Sequence, residues 1–203
     1  MRKLFLQINV SLDGFIEDAA GEIDWHFADA EFAEFIDTTL LSIDAMIFGR
    51  VAFEKLARYW PTASPPEASE VQVRLMHDLP KYVVSDRLTR TDWNNSHVVG
   101  GDVAAAITAL KQQPGGDIAL FAGAGVATSL VRLGLIDEYR LIVNPVLLGA
   151  GTRLFDGDYK RSELRLIETR RFTSGAVVLL YEPQVVPRLR DGPQRAEPRG
   201  ARP

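Results

Sequence analysis

The chain has 203 residues, 46% of them hydrophobic and 25% charged, with a formal net charge of −4 and no cysteine. That length suits one domain with a substantial core, and the missing cysteine excludes disulfides, thiolate metal sites and a cysteine nucleophile. The charge is uneven: residues 187–203 carry five arginines against Asp191 and Glu197, a net +3, so the rest carries −7, which argues against a broad nucleic-acid surface.

Residues Lys3 to Val10 alternate like a strand, and an Asp13-Gly14 pair turns the chain before Phe15 and Ile16 continue extended. The opening MRKLFLQINV lacks a small-residue cleavage site. No apolar run approaches the roughly 20 residues of a membrane span, so a cytoplasmic protein is expected. From Asp29, the spacing of Phe32, Phe35, Ile36 and Leu40 predicts an amphipathic helix with an acidic start. Asp44 to Phe48 is a compact apolar strand ended by Gly49-Arg50. Phe53, Leu56, Ala57 and Trp60 then mark a second helix, stopped by Pro61.

A Pro-rich loop leads to a short helix ending near Leu79-Pro80, followed by a strand over Tyr82–Val84 that stops at Ser85-Asp86-Arg87. Val98-Val99 is a further short strand, and Gly100-Gly101-Asp102 opens a helix through Val103, Ile107 and Leu110. The central stretch DIALFAGAGVATSLVRLGL, 117–135, starts as a strand buried on both faces. It turns through small residues and becomes a helix, with Gly134 placed as a left-handed terminator. Beyond it come a strand over Glu138–Val143 and a hairpin, Leu164–Phe172 and Ala176–Tyr181, joined by Thr173-Ser174-Gly175. Strands alternate with helices until about residue 140, and then strands follow strands. The order predicts an α/β fold: a mostly parallel twisted sheet, helices on both faces and a C-terminal antiparallel hairpin. The domain is expected to span 1–183, with a Pro/Arg-rich tail, 184–203, that is too polar to order.

Three strand ends stop at residues suited to anions: Gly49-Arg50, Ser85-Asp86-Arg87 and Gly123-Ala124-Gly125. In a parallel sheet these ends share one edge, where ligands of open α/β folds bind. Glycine lets the backbone approach a phosphate, arginine pairs with it in a fork and serine donates to it. Each has a plainer reading: close strand–helix packing for the glycines, a solvent-facing helix start for Arg50, an ordinary turn for Ser85. The usual dinucleotide fingerprint fits poorly, because Thr128 stands where a third glycine belongs and Asp137 and Glu138 come too early for a ribose contact. His26, His77 and His97 form no spaced ligand pair, so no metal site is expected.

SLDGFI at 11–16, FGRVAFE at 48–54, KYVVSD at 81–86, FAGAGVATSLVRLGLIDEYRL at 121–141 and VNPVLLGAGTRLF at 143–155 together resemble the dihydrofolate reductase superfamily. Within it, they look like the branch holding the riboflavin-biosynthesis reductase domain. The resemblance implies NADPH bound across the sheet edge. Gly49 and Arg50 would lie along the phosphates, Ser85 and Arg87 near the 2′-phosphate, and Gly123, Ala124, Gly125 and Val126 over the pyrophosphate. It implies hydride transfer to a small heterocyclic substrate of pterin or pyrimidine/ribityl type, and a homodimer paired through its late strands. Asp24 is the candidate proton donor, and Trp25 and Phe53 are candidates to wall a flat substrate ring. The alternative is a nucleotide-cofactor-binding protein without turnover.

Overall fold

The structure is a computed structural model that describes residues 1–184 except 28, 122 and 158, so the tail beyond residue 184 lies outside the described residues. In chain order the elements are β1 (Leu4–Ser11), β2 (Phe15–Glu17), α1 (Ala30–Leu41), β3 (Ile43–Gly49) and α2 (Arg50–Tyr59). Next come α3 (Glu70–Asp78), β4 (Lys81–Val84), β5 (Ser96–Val99), α4 (Val103–Gln112), β6 (Asp117–Leu120) and α5 (Ala124–Arg132). The chain closes with β7 (Glu138–Asn144), β8 (Thr152–Arg153), β9 (Leu164–Arg171) and β10 (Val177–Pro183).

Eight strands form one sheet in the order β5-β4-β3-β6-β1-β7-β10-β9. The first six of these neighbours run parallel, and β10 and β9 add an antiparallel edge. Period-two alternation sorts the central side chains onto two faces. Leu4, Leu6, Ala45, Ile47, Ile118 and Leu120 meet Ile107 and Leu110 of α4 and Val126 and Leu130 of α5. Phe5, Met46, Phe48, Ala119 and Val83 face Leu40 of α1, Phe53 of α2 and Met76 of α3. Helices therefore cover both faces, as the near-continuous apolar strands require. Burying one such side chain is worth about 1.5–3 kcal/mol.

Helix starts divide into two kinds. Asp29, Ser69 and Asp102 cap α1, α3 and α4 by accepting from the backbone N–H groups of Phe32, Gln72 and Ala105. The caps of α2 and α5 are Gly49 and Gly123, which have no side chain to give. Gly134 has φ +64°, and Leu135 donates to the Leu130 carbonyl, so α5 ends in the expected left-handed terminator.

One element has no counterpart in the sequence pattern. β8, only two residues long, pairs antiparallel with β2 as a second small sheet, because two residues cannot display a period. Asp13 holds the nearby turn, accepting from the Ser11 hydroxyl at 2.6 Å and from the backbone N–H of Gly149 at 2.8 Å. Those hydrogen bonds, Ser11 first, lower its carboxyl to about 2.

Candidate functional site

The carboxyl ends of β3, β4 and β6 open on one cavity of about 690 Å³, whose floor continues onto β1 and whose far wall is the β2–β8 pair. That volume suits a dinucleotide-sized or drug-sized ligand. Gly49, Arg50, Ser85, Gly123, Ala124, Gly125 and Val126 all line it. A sheet edge has thus gathered three loops that are far apart in the sequence.

The two uncapped helices meet here. A Cβ on Gly49 would stand 3.3 Å from Val126 Cγ1, so the starts of α2 and α5 adjoin. Their first-turn N–H groups receive no side-chain cap and carry the positive ends of two helix dipoles. At Gly123 and Gly125 an added Cβ would meet nothing within 4 Å, which leaves bare backbone and open space before it. The Ala124 methyl packs against the core cluster of α4 and α5. Ser85 Oγ accepts from the N–H groups of Arg87 and Leu88 at 3.1 and 3.0 Å, so its own proton is left to donate. Arg50 is half-exposed and pairs with Glu54 at 2.7 Å. This is the donor set a phosphate-bearing nucleotide needs.

The other candidates fall outside the lining. Arg87 is exposed beyond the strand end, Asp24 sits on an exposed turn, and Trp25 lies beside it with its ring edge on His26. Phe53 corrects the expectation of a ring-walling aromatic. It is 4% exposed and packs against Phe48 and Trp93 in the core under α2, because its place on the helix turns it towards the sheet.

Sequence reasoning missed Gln7, Asn9, His26, Glu17, Lys55 and Thr152, all of which line the cavity. Gln7 and Asn9 had a signal. Gln7, Asn9 and Ser11 alternate with Leu6, Ile8 and Val10, and a polar face on a strand reads as solvent-facing. Here β1 lies between β6 and β7 inside the sheet, and Gln7 and Asn9 of its polar face line the cavity. Thr152 donates to Glu17 at 2.7 Å, and Lys55 pairs with Glu17 at 3.3 Å, which ties β8, β2 and α2 around the cavity.

Burial lowers His26 from 6.5 to about 4, against the opposing pull of the Asp24 charge, and its Nε2 is buried without a partner among the described residues. The unfolded chain therefore binds the extra proton between about pH 6.5 and 4. Stability that is fully present above that window is lost as pH falls through it. The urea unfolding free energy of the wild type should fall more steeply across this window than that of His26→Phe, by up to ~1.4 kcal/mol per pH unit. Parallel pH profiles would show an unperturbed imidazole.

The sheet order, the helix pair on its carboxyl edge and the cavity between them define an α/β domain of the dihydrofolate reductase type. More narrowly, the chain belongs to the RibD C-terminal domain family, whose model matches residues 2–178. It is 36% identical over 182 residues to the uncharacterized protein YyaP of Bacillus subtilis (strain 168), covering 89% of this chain and 94% of that one. Among solved structures, it resembles a pyrimidine reductase-like protein from Corynebacterium diphtheriae, with a TM-score of 0.66 at 14% identity, over 90% of this chain and 92% of that one. It also resembles dihydrofolate reductase from Enterococcus faecalis in complex with NADP(H) and RAB-propyl, with a TM-score of 0.61 at 14% identity, over 89% and 96% of the two chains. At these identities the structural likeness establishes the fold.

Proposed function

We propose that the protein is an NADPH-dependent reductase of a small heterocyclic substrate, of pterin or pyrimidine/ribityl type. One observation carries the reading: the two helices without side-chain caps are the two whose N-termini adjoin in the cavity. The family and the reductase fold support the same conclusion. In this reading the N–H groups at the start of α5, beside Gly123 and Gly125, hold the pyrophosphate, and Gly49 and Arg50 run along it. Ser85 donates to the adenosine end, where Asp86 opposes a second phosphate and makes the NADPH–NADH comparison informative. Bound NADPH would supply a hydride to an electrophilic C=N carbon, the nitrogen taking a proton from water or an acid. Asp24 acts on the cavity through its charge at His26. Asp24 is the proposed proton donor, so Asp24→Asn should lower kcat about a hundredfold, and a kcat within about twofold of the wild type would remove it from the mechanism.

NADPH at a hundredfold excess over its Kd should stabilise the fold by ~2.7 kcal/mol, which for a domain of this size raises Tm by about 5–10 °C. Nicotinamide absorbance should then decay with a dihydropterin or pyrimidine acceptor. A melting curve indifferent to both NADPH and NADH sinks the cofactor reading; a shift without turnover across the panel makes the protein a cofactor binder. We further propose a homodimer through the late strands. It is supported by β9, an edge strand exposed at all eight residues with Leu164, Leu166 and Ile167 on show. Light scattering should give twice the 22.5 kDa chain mass, and a monomer at high concentration would refute the pairing.

A further inference from the structure

The cavity has two halves of different chemistry. The half against β3, β4 and β6 has the bare helix ends. The half over β1 is floored by Gln7, Asn9 and His26 and walled by Ile16, Ile23 and Thr152. Both cations that line the cavity, Arg50 and Lys55, have carboxylate partners, Glu54 at 2.7 Å and Glu17 at 3.3 Å. Lys55 also donates to the Gly21 carbonyl at 2.8 Å. Among the described residues, then, the β1 half offers no unpaired positive charge to a phosphate.

What it offers instead is neutral hydrogen-bonding groups with unfilled valences. The backbone N–H of Phe27 donates to Asn144 Oδ1 at 2.9 Å, which fixes the orientation of that fully buried amide. Asn144 Nδ2 must then face Asn9 Oδ1, at 3.0 Å, and the Ile142 carbonyl, at 3.1 Å. With its oxygen accepting, Asn9 has its NH₂ left as a donor that no described residue receives. Gln7 is only 3% exposed, and among the described residues its amide hydrogen-bonds only with Thr39 Oγ1, at 3.3 Å. The Thr39 proton goes to the Phe35 carbonyl at 2.9 Å. Whichever way the Gln7 amide is turned, one of its two polar atoms is buried without a partner among the described residues. His26 Nε2 is in the same condition, and its burial keeps the ring uncharged at neutral pH. Buried polar atoms are nearly always paired, and an unpaired one carries a desolvation cost that a ligand can relieve.

Resting on the reductase reading above, we propose that Gln7, Asn9 and His26 form the substrate floor, and that it selects an uncharged planar heterocycle with an amide-like edge over a phosphorylated one. A donor from Asn9, an open amide half from Gln7 and an imidazole nitrogen match adjacent C=O and N–H groups on a ring. In this half Lys55 is held by both Glu17 and the Gly21 carbonyl, and the Glu17 carboxylate, itself fixed by Thr152, makes a phosphate on the same molecule a penalty.

The test uses the full chain saturated with NADP⁺ and two matched pairs of probes. These are 7,8-dihydroneopterin with its triphosphate, and uridine with uridine 5′-monophosphate. Titration calorimetry should show at least one unphosphorylated probe binding, and its phosphorylated partner binding about tenfold or more weakly. Gln7→Met and His26→Phe should each weaken the ring about five- to tenfold, the worth of one neutral hydrogen bond, and leave NADP⁺ affinity within about twofold. The unchanged NADP⁺ affinity separates recognition from damage to the fold, and the phosphate comparison needs the wild type alone. The proposal is overturned if the phosphorylated partner binds as tightly, if no probe binds beside NADP⁺, or if a variant with normal NADP⁺ affinity holds the ring as the wild type does. Failure of NADP⁺ itself to bind the wild type would overturn the cofactor reading and this floor together.

Discussion

A Gly125→Val protein should fold as well as the wild type and lose about a hundredfold in NADPH affinity. Gly125 lies in the first turn of α5 and lines the cavity, and a Cβ there would meet no atom within 4 Å. Valine is also a better helix former than glycine, by a few tenths of a kcal/mol, so the unliganded protein gains if anything. The added isopropyl group fills the space before the bare N–H groups that would receive the pyrophosphate. A hundredfold loss is about 2.7 kcal/mol, enough to erase the ligand-induced rise in Tm at a concentration that saturates the wild type. Melting curves with and without NADPH decide it. An unchanged rise would mean that the cofactor lies elsewhere.

Gly151→Ala should cost stability instead, by about 3 kcal/mol or more in urea unfolding. Gly151 has φ +135°, a conformation few L-residues adopt. An added Cβ would stand 2.0 Å from the Glu17 carbonyl oxygen and about 3 Å from the backbone of Asp18. These are backbone atoms and cannot swing aside, so β8 must move away from β2. That movement would part Thr152 from Glu17 and open the wall that Lys55 braces. Gly134→Ala is the control. Its φ of +64° is also unfavourable to alanine, but a Cβ there meets nothing within 4 Å, so the cost should be only about 1–2 kcal/mol. Equal losses at the two positions would show that the β2–β8 contact is not tight.

What the sequence by itself determined is what short-range pattern can encode. Alternation in β1, the compact apolar run of β3, helical spacing after Asp29 and Gly123, and the breakers Gly134 and Thr173-Ser174-Gly175 are all decided within a few residues. They yielded the mixed sheet, its antiparallel edge and the three strand ends that line the cavity. Once a parallel order is inferred, chirality and connection rules bring such ends to one side. The side chains that line the β1 half of the cavity were decided by the tertiary structure alone. Asn9 is oriented through Asn144, 135 positions away, and Asn144 through Phe27, 117 positions away. Phe53 lies in the core and His26 lines the cavity because burial depends on what packs above a helix or loop, which no local period records. The uncapped helix starts at Gly49 and Gly123 are backbone features and could be read from residue type. The β1 floor consists of side chains whose donors and acceptors are assigned by distant partners, and only the folded chain assigns them.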